Sequence, residues 1–101
     1  MALQLDENFA FLVLAIVEEI PQGKVITYGK LAEMAGYPKN SRLVGKVLSN
    51  SSYYGSYPCH RVVNVNGRTV PGWNQQRSLL ENEGVSFKGN GNVDLKKHMW
   101  V

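Results

Sequence analysis

Two short helical patterns, joined through Gly36-Tyr37-Pro38, constrain this chain more than any other stretch. Thr27 is placed to cap a first helix over Tyr28–Ala35, and Gly36 to end it in the left-handed conformation that glycine tolerates best. A second helix can start around Lys39–Ser41 and run to about Leu48, with Leu43, Val44 and Val47 on its buried face. Two short helices joined by a tight turn containing glycine are the pattern of a helix-turn-helix. The second helix carries Arg42 and Lys46 one turn apart on an exposed face, kept low by Ser41 and Gly45. The plainer alternative is a packed helix pair with no binding role.

Ahead of this pair, Asp6 can cap a helix that reaches about Glu19, with Phe9, Leu12, Val13, Ile16 and Ile20 as its inward stripe. Pro21-Gln22-Gly23 ends it, and Lys24–Ile26 is β-prone. Ser49–Tyr57 reads as polar loop, Arg61–Val65 as a strand, and Asn66-Gly67 as a turn. Asn74–Glu83 is helical, with Leu79 and Leu80 inward and Gly84 closing it. Val85–Phe87 and Val93–Leu95, separated by the turn-rich Lys88–Asn92, form a small hairpin, and Met99 and Trp100 pack back onto the domain.

At 101 residues the chain is expected to be a single domain over 1–101. Its most apolar stretch, Phe9–Val17, is far short of the ~20 residues that span a bilayer. Asp6 and Glu7 stand before it where a secretory signal would be basic, so a soluble, cytoplasmic and monomeric protein with no membrane contact is expected. Net charge is uneven. Between Lys24 and Arg68 lie seven basic residues against Glu33 alone, while the rest of the chain holds four basic and seven acidic ones. Such a middle can present a positive face to phosphates, or it can simply be a solvated surface.

The only cysteine lies in Pro58-Cys59-His60-Arg61-Val62. A single cysteine excludes an intrachain disulfide and fits a reducing compartment. Beside an imidazole and a guanidinium, a thiol is readily turned into a nucleophile, because nearby positive charge lowers its pKa from ~8.5 and the thiolate is the reactive form. The competing reading is an inert, buried, small apolar residue. Neighbours on an extended strand face opposite ways, so His60 serves Cys59 only through a turn and a bridging water.

Taken together, these motifs resemble the O6-alkylguanine-DNA alkyltransferase family. Ile20-Pro21-Gln22-Gly23-Lys24-Val25-Ile26-Thr27-Tyr28-Gly29 is similar to the opening of its DNA-binding domain. Pro38-Lys39-Asn40-Ser41-Arg42-Leu43-Val44-Gly45 resembles its recognition-helix segment, and Pro58 through Val63 its active-site motif. Leu79-Leu80 with Glu83-Gly84 resembles its downstream helix end, so the likeness runs from about Phe9 to Gly84 in family order.

The resemblance implies a mainly α, winged-helix-like domain of three helices, with a helix-turn-helix and a small β-hairpin. It also implies a function: binding duplex DNA in the minor groove, flipping O6-alkylguanine, and moving the alkyl group irreversibly to Cys59. Without cofactor or metal, each molecule would act once. By position, Cys59 is the acceptor, His60 takes its proton through water, Glu83 orients His60, and Asn50 helps order the site. Arg42 would fill the space left by the base, with Lys46 and Arg61 on the DNA. Tyr28 would crowd the target phosphate and touch the extruded base. Main-chain groups near Cys59 and Val62 would read the guanine edge, and Trp73 would offer a stacking surface or serve as core.

Two departures complicate this assignment. Arg68-Thr69-Val70-Pro71-Gly72-Trp73 replaces the Tyr-Ser-Gly-Gly-type loop of the repair enzymes. Val93-Asp94-Leu95 with Met99-Trp100 resembles the ending of alkyltransferase-like proteins, relatives that bind alkylated DNA without repairing it and typically carry tryptophan where this chain has Cys59. The larger enzymes' extra N-terminal domain, with any zinc it holds, is not expected here. Two alternatives to transfer therefore stand: a lesion sensor that recruits other repair proteins, and a helix-turn-helix transcription regulator.

Overall fold

The computed structural model describes residues 7–101. Asp6 lies outside them. Three helices form the first half: α1 (Glu7–Glu19), α2 (Tyr28–Met34) and α3 (Ser41–Ser49). Thr27 caps α2 as expected, its hydroxyl accepting from the Lys30 amide at 3.2 Å. Ala35 and then Gly36, at φ +88°, end that helix. The helices pack mutually, and α2 with α3 forms the expected helix-turn-helix.

The buried face of α1 is Phe9, Ala10, Val13, Leu14 and Val17, continued by Ile20. Leu12, expected in the stripe, is 42% exposed, and Ile16 is only partly buried. Where nearly every position of Phe9–Val17 is apolar, spacing alone cannot fix which side turns inward. Contact with both α2 and α3 demands a face two residues wide, and that rotates Leu12 out.

Strand β1 (Ile26–Thr27) pairs in parallel with β2 (Val62–Val63), Ile26 opposite Val62 and Thr27 opposite Val63. Because side chains alternate along a strand, this pair partitions the interior. Ile26 and Val62 enter the helical core, while Val25 and Val63 enter a second core with Leu80, Val85 and Val93. Helix α4 (Gln75–Asn82) closes that second core through Leu80 alone; Leu79, expected inward, is 39% exposed. One inward position per turn suffices where the helix covers only a small core.

The predicted strand Arg61–Val65 is shorter than expected, because Cys59–Arg61 coils as a 3-10 turn before β2 begins. A second 3-10 turn, Ser51–Tyr53, interrupts the expected loop after α3. The hairpin closes on a single antiparallel bridge between Phe87 and Val93, since Asp94 already caps α5 (Leu95–His98). Its far side docks on the Asn66-Gly67 turn, where Gly67 (φ +86°) accepts from the Val93 amide at 2.9 Å. A Cβ on Gly67 would lie 2.6 Å from the Val93 carbonyl oxygen, so no other residue fits. Met99 bridges Val25 in parallel and the Trp100 amide donates to the Val25 carbonyl at 2.8 Å, as the expected packing of this segment requires.

Candidate functional site

The 3-10 turn decides what each residue of the Cys59 motif can reach. Its side chains step by about a third of a turn per residue, so Cys59 and its two basic neighbours diverge. Cys59 opens on a pocket, while His60 and Arg61 meet at Glu83, the residue that ends α4. The bonds Cys59 N–H to Tyr57 O (2.8 Å) and Arg61 N–H to Pro58 O (3.1 Å) hold the turn.

Glu83 is the centre of a tight polar node. Arg61 grips its carboxylate with two parallel bonds, Nε to Oε1 at 2.9 Å and Nη2 to Oε2 at 2.7 Å. The remaining arm, Nη1, donates to the Ile20 carbonyl just past α1 at 2.7 Å. His60 Nε2 lies 2.9 Å from Oε2. An ionised carboxylate can only accept, so Nε2 donates to it and Nδ1 is the nitrogen that this bond leaves free. Burial pushes the Glu83 carboxyl up, but the bonds from Arg61 and His60 outweigh it and hold the group below the ordinary carboxylate range. Arg61, expected on the DNA, is thereby turned inward: its side chain is 12% exposed and each guanidinium nitrogen makes a bond within the fold.

The pocket beside the thiol is a cavity of about 130 Å³. It is lined by Cys59, by Tyr28 from α2, by Gly45, Leu48 and Ser49 from α3, and by Val70 and Trp73, whose segment is called its lip. Trp73 lines the same pocket as the thiol. A neighbouring hollow of about 140 Å³ shares Tyr28 and Val70 and runs between Asn64 and Arg68. Val62 does not line the pocket. Its side chain is fully buried, its amide donates to Cys59 O, and its carbonyl takes a bond from Gln76 at 3.0 Å.

The thiol's electrostatics run opposite to the expectation from its neighbours. Burial raises the Cys59 pKa, and a hydrogen bond from Ser51 opposes it only partly. The neighbouring Arg61 guanidinium is paired with Glu83 instead. Burial likewise raises the Tyr28 hydroxyl, helped by its proximity to Cys59. Asn50, expected to order this site, is exposed and bonds instead to the Lys46 carbonyl at 2.9 Å, as the residue ending α3. The next residue, Ser51, is the thiol's polar neighbour, one position from where the sequence reading placed it.

Arg42 and Lys46 stand exposed on the outer face of α3, and neither is in an ion pair among the described residues. Gln76 was not anticipated. It is fully buried, on the inward side of α4 one turn before Leu80, and touches both the Cys59 turn and the Val70 lip. Helical spacing from Leu80 marks the position as inward; nothing local marks it as polar for a purpose. Among the described residues no cluster of metal-ligating side chains occurs, and no helix is long and apolar enough to cross a membrane.

Residues 8–85 match the sequence profile of the 6-O-methylguanine DNA methyltransferase DNA-binding domain. The DNA base-flipping protein of Escherichia coli K12 is 41% identical over 98 residues, which cover 94% of this chain and 76% of that protein. Alkyltransferase-like protein 1 of Schizosaccharomyces pombe is 36% identical, covering 97% of this chain and 98% of that one. The crystal structure of S. pombe Atl1 with damaged DNA containing O6-carboxymethylguanine superposes with a TM-score of 0.84 at 32% identity, over 97% of this chain and 99% of that one. With profile, relatives and fold in agreement, the chain belongs to the 6-O-methylguanine DNA methyltransferase family, as a DNA-binding domain of that family.

Proposed function

We propose that this chain acts as one cytoplasmic domain that binds duplex DNA through the outer face of α3, flips an O6-alkylated guanine into the pocket beside Cys59, and accepts the alkyl group on its sulfur. The observation that carries this reading is that the lone thiol, α3 and Trp73 line one pocket. A stacked base is out of reach, and extruding it costs a few kcal/mol. Arg42, exposed in the first turn of α3, fills the gap in the stack. Lys46, one turn on, neutralises a phosphate, and Trp73 and Tyr28 hold the base. The DNA complex of S. pombe Atl1 supports this docking.

In the transfer, the Cys59 sulfur attacks the alkyl carbon, a carbon–sulfur bond forms and the carbon–O6 bond breaks. The thiol proton passes through water to His60 Nδ1, the nitrogen left free by the Nε2 bond to Glu83. A proton returned to the guanine restores the normal base. The thioether is stable, so each molecule turns over once and no cofactor takes part.

The direction of the Cys59 pKa favours a second reading, in which the pocket recognises damage and the protonated thiol stays inert. Mass spectrometry of the protein after incubation with a duplex carrying O6-methylguanine separates the two. A single methyl on Cys59 is the expected result; tight lesion binding with an unmodified thiol would leave a sensor that passes damage to other repair proteins. Equal affinity for alkylated and unmodified duplexes of one sequence would sink both and point to a sequence-reading regulator.

A further inference from the structure

We infer that Gln76 is a positioning residue that sets the shape of the pocket by clamping its lip to the Cys59 turn. Its side-chain amide has no exposure and spends both donors and its acceptor on main-chain groups of two separate segments. Nε2 donates to the carbonyls of His60 (3.1 Å), inside the reactive turn, and Val62 (3.0 Å), just after it. Oε1 accepts from the Val70 amide at 2.6 Å, and Val70 lines both the pocket and the hollow beside it. Within Thr69–Gly72 this is the bond that ties the main chain to the turn.

The chemistry of the site admits few other residues. Two carbonyls and one amide N–H must be met by one buried side chain, and a primary amide offers two donors and an acceptor in one plane. A glutamate of equal length would set an acceptor against two carbonyl oxygens. A methionine of similar volume would leave three main-chain groups unmet, each at the full cost of a buried unsatisfied polar atom. Gln76 touches neither thiol nor pocket, so it acts through Val70 and the turn. By holding the lip at one distance from Cys59, it fixes the gap into which a flat base must slide, between Trp73 and the thiol.

The inference builds on the lesion-pocket reading, but its first test needs no DNA. In the native protein the Val70 amide should be strongly protected from hydrogen exchange; exchange as fast as that of an exposed loop amide would overturn the clamp without any variant. In folded Gln76→Met, Val70 exchange should rise and Cys59 alkylation by iodoacetamide should quicken by about tenfold, the scale of one lost buried hydrogen bond. The ratio of affinities for O6-methylguanine and unmodified duplexes should drop by a similar factor, while affinity for the unmodified duplex, set by α3, stays within about twofold. Unchanged thiol reactivity and exchange, or equal losses on both duplexes, would reduce Gln76 to a core residue. A native protein with no lesion preference would defeat the lesion reading and leave the thiol and exchange results to decide the clamp.

Discussion

Arg42 stands on the outer face of α3 with no ion-pair partner among the described residues, whereas Arg61 is enclosed by Glu83 and the Ile20 carbonyl. Both belong to the basic middle of the chain, and a charge count treats them alike. Their surroundings separate them. An exposed guanidinium keeps its charge for an outside anion, while a buried bidentate one is consumed in joining α1, the Cys59 turn and the end of α4. Part of the apparent positive face is therefore internal structure, and the thiol between the two regions gains no positive charge from it.

The largest effect that could break this contrast is on stability. Glu83→Ala leaves the Arg61 charge buried with no carboxylate, only the Ile20 carbonyl, and should cost about 3–5 kcal/mol in urea unfolding. A loss below 1 kcal/mol would make the node decorative. The same node carries an acid dependence. Because the Glu83 carboxyl is depressed in the fold, its contribution is complete above the unfolded value of about 4.3 and vanishes as pH falls through the folded value. The melting temperature should therefore fall more steeply below about pH 4 in the native protein than in Glu83→Gln.

Arg42→Ala should do the reverse. Stability should stay within about 0.5 kcal/mol, while lesion affinity falls by about tenfold or more, because part of the few-kcal/mol cost of unstacking loses its compensation. Unchanged affinity in a fluorescence-anisotropy titration would remove Arg42 from the DNA face. Next in size is the thiol itself. With its pKa raised by burial, the pH profile of Cys59 alkylation in DNA-free protein should have its midpoint above the ordinary value of about 8.5. A midpoint below that value would show that the basic neighbours reach the sulfur after all. The smallest change is expected from Lys46→Ala, which should lower the slope of log affinity against log salt by about one phosphate contact, with lesion preference intact.

The helix-turn-helix was legible because its signals are local: Thr27 caps, Gly36 terminates, and Val44 and Val47 repeat at helical spacing. The pairing of His60 with Glu83 followed from the family motifs. What escaped depends on three-dimensional neighbours. Leu12 is apolar within an apolar run, and Leu79 stands beside an equally apolar Leu80, so only the elements packed against each helix decide that they face water. Arg61 has the same charge whether it meets DNA or a carboxylate. Gln76 bonds only main-chain carbonyls and an amide, groups that every residue has, so no motif could advertise its partners. The raised thiol pKa is likewise a property of enclosure, invisible in a list of adjacent charges.

The strand pairing of Ile26 with Val62, and of Val25 with Met99, also sets an order in time. The contacts among α1, α2 and α3 lie close along the chain and should form early, whereas these pairings wait on the closure of long loops. Until they close, the only thiol stands outside its shelter, open to any oxidant or electrophile present. Pulse-labelling during refolding should find Cys59 reactive after the helical signal has recovered and silent only later; simultaneous loss of both would show that the chain never leaves it exposed.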